Sequence, residues 1–151
     1  MATNMKGEVA LPADRQTIWQ SLNNPEILRQ CIPGCQSLEK TSDTGFAAVA
    51  KVKIGPVGAT FKGTVELKDL DPPNGYRIEG AGQGGIAGFA NGGATVKLAD
   101  QSDGGTLLSY EVQANVGGRI AQLGSRLIDG VAKSMADKFF ASFAEAVKPK
   151  Q

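Results

Sequence analysis

The chain of 151 residues contains no histidine at all. That absence removes Ser-His-Asp and Cys-His nucleophile systems, any histidine-ligated metal site, and the only side chain whose unperturbed pKa lies near neutrality. Cysteine is nearly absent too, with two residues, Cys31 and Cys35. They could begin a zinc site, but no further Cys or His exists to complete one. Charge of one sign is also missing: the formal net charge is +1, with Lys and Arg spread along the chain. Nucleic-acid binding needs a concentrated basic patch and is not expected. No run reaches the eighteen or so apolar residues of a membrane span. The start, Met1 to Gly7, lacks the apolar core of a signal peptide, so a cytoplasmic location is expected.

What remains is an ordinary globular composition, 41% hydrophobic and 21% charged, most simply one domain over residues 1–151. The strongest pattern is a long two-faced helix predicted from Val116-Gly117-Gly118 to Val147. Ile120, Gly124, Leu127, Ile128, Val131, Met135, Phe139 and Ala146 share one face. Arg126, Asp129, Lys133 and Asp137 share the other, and Asp129 and Lys133 have favourable i,i+4 spacing. About thirty residues make a rod of about 45 Å, which needs a large partner surface.

The preceding chain supplies one. Gly7 to Leu11 reads as a strand, and two short helices follow: one starting at Leu11-Pro12-Ala13-Asp14, with Pro12 preset for its first turn and Asp14 near its positive end, and one begun by Asn23-Asn24-Pro25 and ending before Pro33-Gly34. The period then becomes two. Phe46, Ala48, Ala50, Val52 and Ile54 alternate with polar residues, as do Ala59, Phe61, Val65 and Leu67. Turns at Gly55-Pro56, Asp71 to Gly75 and Asp103-Gly104-Gly105 separate further strands carrying Tyr76 and Ile78, then Ala94, Val96 and Leu98, then Leu108 to Val116. Half-polar alternation fits an antiparallel sheet with one wet face. The expected class is α+β: about seven strands, two short helices after the first, one long C-terminal helix.

Three motifs carry chemical meaning. Gly80-Ala81-Gly82-Gln83-Gly84-Gly85 matches the dinucleotide fingerprint, which works only between a strand and a helix. Phe89 to Leu98 reads as another strand, so bends and close backbone approach explain these glycines better; their missing side chains also leave room for a ligand. Cys31-Ile32-Pro33-Gly34-Cys35 reads as structural thiols, or else a redox-sensitive or partner-facing pair. Gly117-Gly118-Arg119 reads as a joint with a solvated Arg, or else an anion-holding helix start.

The order of elements resembles the START-like helix-grip superfamily, in which a curved antiparallel sheet wraps a long C-terminal helix. More narrowly, the chain is similar to the carbon monoxide dehydrogenase G-subunit family. The resemblance is carried by Leu11-Pro12-Ala13 with Trp19, Cys31 to Cys35, Ile54-Gly55-Pro56-Val57, Phe61-Lys62-Gly63, Gly82-Gln83-Gly84, the run Val116 to Ile128, and Phe139-Phe140. It implies an accessory role to molybdenum-hydroxylase-type CO dehydrogenases, in maturation, membrane recruitment or electron delivery. It also implies a cavity for a quinone- or lipid-like molecule and peripheral contact at the inner face of the cell membrane. Many relatives continue past the helix into a linker and an apolar anchor, whereas this chain ends Lys148-Pro149-Lys150-Gln151. The family offers no catalytic motif to carry over, and neither a cofactor nor a metal is expected.

Three functions follow from these readings: a carrier with an apolar cavity, a docking adaptor with a filled core, and a polyketide-cyclase-like enzyme using Asp69, Glu79 or Tyr110 as its base. For the carrier, the expected cavity residues are Phe61, Ile86, Phe89, Tyr110, Leu127, Val131, Met135 and Phe139.

Overall fold

The computed structural model describes residues 2–148. Strand β1 (Ala2–Leu11) leads to helices α1 (Arg15–Leu22) and α2 (Pro25–Cys31). Six strands follow: β2 (Cys35–Lys40), β3 (Gly45–Ile54), β4 (Val57–Asp71), β5 (Gly75–Gln83), β6 (Phe89–Asp100) and β7 (Thr106–Gly117). Helix α3 (Ser125–Val147) ends the described chain. The sheet order is β1-β7-β6-β5-β4-β3-β2, with every neighbouring pair antiparallel. This is the helix-grip arrangement expected from the sequence.

Local chemistry fixes the helix starts. Asp14 caps α1 by accepting the Thr17 N–H at 3.1 Å, and Asn24 caps α2 by accepting the Glu26 N–H at 3.0 Å, with Pro25 at the first helical position. Thr106, fully buried, donates its hydroxyl to the Ala13 carbonyl at 2.7 Å, and Arg15 donates to Asp100 at 2.7 Å. These bonds hold α1 against the ends of β6 and β7.

Three expectations are corrected. The first strand is longer than Gly7 to Leu11, because Ala2 to Lys6 also pair with β7. The long helix does not start at Val116. β7 runs to Gly117, Arg119–Leu123 forms a 3-10 turn, and α3 begins only at Ser125. Gly118 (φ 79°) and Gly124 (φ 93°) take backbone conformations that interrupt helical hydrogen bonding on either side of that turn. The helix therefore has 23 residues and spans about 35 Å. Asp129 does not pair with Lys133. It accepts from the Thr3 hydroxyl, tying α3 to β1, while Lys133 pairs with Asp137 at 3.0 Å.

Apolar side chains gather in two clusters on the concave side. One joins Ile18, Leu22 and Cys31 to Phe46, Leu67, Tyr76, Val96, Leu98, Leu108, Phe143 and Val147. The other, beside the β3–β4 turn, holds Ile54, Ala87, Val116, Ile120 and Ile128. Between them the register aligns Ala48, Gly63 and Gly82 in one row across β3 to β5. A row of such small residues cannot fill the space under a helix, so the core divides there.

Candidate functional site

Alternation sends one side of each strand into the concave face, and pairing then sets those residues side by side. Tyr76 pairs with Val96, Val96 with Tyr110, and Tyr110 with Gly7, giving a continuous row across β5, β6, β7 and β1. The next row is Leu67, Ile78, Ala94, Val112 and Met5. Over both rows passes α3, which presents Ala132 and Ala136 between the longer Met135, Phe139 and Phe140. The alanines leave the helix standing off the sheet. A cavity of about 390 Å³ results, lined also by Leu22, Leu28, Ile32, Pro33 and Leu38.

The lining is chemically plain. It contains no charged side chain, and its only side-chain oxygens are the hydroxyls of Tyr76 and Tyr110. Tyr110 stacks on Phe140 with ring centroids 5.2 Å apart, while Trp19 meets Tyr76 edge-on at 5.3 Å. Burial holds the Tyr76 hydroxyl well above its ordinary pKa, so it stays a neutral donor and acceptor. Such a space suits a hydrocarbon-rich guest and offers nothing to pair with a charge.

The predicted site residues divide. Tyr110, Met135 and Phe139 line the cavity. Phe61 and Val131 pack instead against the second cluster, where the Phe61 ring covers Gly84. Val131 also borders a separate groove between α3 and β3, with Lys51, Lys53 and Lys138. Ile86 is 88% exposed at the tip of the 3-10 turn Gly85–Ala87. Phe89 and Leu127 are 37% and 36% exposed, lying against Gly117 and Gly55 respectively. The glycines around Ile86 and Phe89 therefore do not widen the cavity. They let two chain segments touch: a Cβ on Gly88 would sit 2.1 Å from the Gly117 carbonyl oxygen.

Tyr76, Ile78, Val96 and Val112 were legible as inward-facing strand residues, but only their register shows that they share one chamber. The fingerprint-like glycines end β5 and enter a 3-10 turn, not a helix, so no phosphate-holding helix start exists there. Of the candidate bases, Asp69 is exposed, and Glu79 forms an ion pair with Lys68 at 2.8 Å that depresses its pKa. Neither borders the cavity. Cys31 and Cys35 are free thiols, both raised in pKa by burial, and neither borders it. Among the described residues no group of three potential metal ligands comes together, and no helix is long and apolar enough to cross a membrane.

Similar structures share this architecture. A conserved protein from Geobacillus kaustophilus matches with a TM-score of 0.90 and 32% identity, over 96% of this chain and 95% of that one. Ara h 8.0201 matches with a TM-score of 0.66 and 15% identity, over 97% and 98%. The Zhui aromatase/cyclase from a Streptomyces species matches with a TM-score of 0.70 and 10% identity, over 97% and 94%. At such identities the last two speak for the fold alone. No curated protein matches the sequence. The sequence profile of the carbon monoxide dehydrogenase G subunit (CoxG) matches residues 7–148, from within β1 past the end of α3, and the chain belongs to that family.

Proposed function

We propose that the chain is a non-catalytic carrier that holds a quinone- or lipid-like molecule between the sheet and α3. In this reading it serves a molybdenum-hydroxylase-type CO dehydrogenase in maturation, membrane recruitment or electron delivery, with peripheral contact at the inner face of the cell membrane. One observation carries the reading: a chamber of about 390 Å³ whose lining has no charge and only two side-chain oxygens. Left empty or filled with unbonded water, such a chamber would be costly, and an apolar guest relieves that cost. Family membership supplies the oxidoreductase half of the proposal.

The aromatase/cyclase among the structural neighbours suggests an enzyme as the second reading. It fares worse, because the carboxylates that would act as bases lie outside the chamber.

Native mass spectrometry of the purified chain, with solvent extraction of the bound fraction, tests the carrier. A co-purifying apolar molecule released on unfolding is expected. Bare protein that also fails to take up an added naphthoquinone would favour an adaptor that works through its outer surface.

A further inference from the structure

Tyr76 is 6% exposed, and no described residue hydrogen-bonds its hydroxyl. Among the described residues no side-chain oxygen is both sealed from open space and unbonded. The Tyr76 oxygen therefore meets open space, and the space its side chain borders is the cavity. Trp19 holds the ring edge-on from one side. The partner row places Val96 next to it and Tyr110 beyond, but Tyr110 leans away over Gly7 toward the edge strand. Leu22, Leu67, Val96 and Leu108 share the cluster of Tyr76 and line the same cavity, and all are hydrocarbon.

A guest that fills this space displaces water from the Tyr76 hydroxyl, and unless it offers an acceptor of its own the phenol is left unpaired. We infer that Tyr76 donates one hydrogen bond to an uncharged acceptor oxygen of a largely hydrocarbon guest, and so selects such guests over pure hydrocarbons. This rests on the carrier reading and sharpens it: the favoured class is ketones, quinones, esters or ethers with a bulky apolar body. A guest without the oxygen would leave the hydroxyl unpaired, and sites built around a hydrogen bond reject analogues that lack it.

Two probes of nearly equal shape test the inference on the full chain: 2-acetylnaphthalene, which carries the ketone oxygen, and 2-isopropylnaphthalene, which has a methyl group in its place. Tyr76→Phe removes only the hydroxyl. We expect it to weaken 2-acetylnaphthalene binding about tenfold while leaving 2-isopropylnaphthalene unchanged. The carbonyl stretch of bound 2-acetylnaphthalene should lie at lower frequency in the unaltered chain than in the variant. The melting temperature of the ligand-free variant should not fall, since no internal hydrogen bond is lost. Equal losses for both probes, or no loss for either, would overturn the role of Tyr76 and leave the carrier standing. Failure of both probes, and of longer-chain ketones, to bind the unaltered chain would remove the carrier reading and this assignment with it.

Discussion

Gly7 and Tyr110 face each other across β1 and β7, and the tyrosine lies so close over the glycine that a Cβ there would stand 2.6 Å from the phenol oxygen. The missing side chain at position 7 lets Tyr110 lean toward the sheet edge and stack on Phe140, clear of the middle of the cavity. Gly7→Val should push the ring inward and break the stack. Affinity for an apolar probe such as a naphthoquinone should fall, with a stability loss of about 1–3 kcal/mol by denaturant titration. Unchanged probe affinity would mean that Tyr110 has room to move elsewhere.

Filling the chamber from the helix side separates residues that line it from those that merely sit on the same helical stripe. Ala136→Leu projects into the cavity and should abolish probe binding at little cost in stability, because the space already exists. Val131→Trp enlarges a residue packed on the second cluster. It should lower stability by about 1–3 kcal/mol and leave probe affinity nearly intact. The reverse pattern would place the guest at the other end of the molecule.

The α1 cap gives a pH signature. Asp14 is held below the ordinary carboxylate pKa by the Thr17 hydroxyl and N–H. A depressed carboxylate contributes stability that is present above its unfolded pKa and lost as pH falls through its folded value. Asp14→Ala should therefore lower the melting temperature at pH 7, and the gap between variant and parent should close as pH drops from about 5 toward 2. A gap that stays constant with pH would assign the effect to helix propensity instead.

Both thiols should be sluggish. Burial raises the pKa of Cys31 and Cys35, which lowers their thiolate fraction at neutral pH. Iodoacetamide at pH 7.5 should label them far more slowly in the folded chain than in urea, with Cys31 the slower. Rapid labelling of Cys35 in the folded chain would point to an activated thiol.

The strands were legible because alternation such as Thr60, Phe61, Lys62 has few other physical explanations. The two short helices were legible from Asp14, Asn24 and Pro25, whose chemistry acts within one turn. The helix start was not. Ile120 and Gly124 fit a helical stripe, yet Ile120 is buried from a 3-10 turn between two glycines of positive φ. Periodicity reports which side chains seek the interior and is silent on a change of pitch.

The site was half legible for a related reason. Tyr110, Met135 and Phe139 face inward, as their patterns imply, but a shared inward face does not make a shared chamber. Phe61 and Val131 also point to the concave side and serve the second cluster. What separates them is the row of Ala48, Gly63 and Gly82, which exists only once three strands are in register. Ile86 misled for the opposite reason: an apolar residue among glycines looked like a cavity wall and proved to be an exposed tip.

The edge position of β1 has a kinetic consequence. Among the described residues its strand neighbour is β7, so Ala2 pairs with Asn115 and Leu11 with Thr106, residues far away in the sequence. Contacts so distant in sequence slow folding, because the chain between them must lose its freedom before they form. During synthesis the first strand leaves the ribosome with nowhere to dock and waits, exposed, for the last. Met5 and Val112, neighbours in the cavity wall, come together only where β1 pairs with β7. The wall of the cavity thus depends on the first and the last strand together.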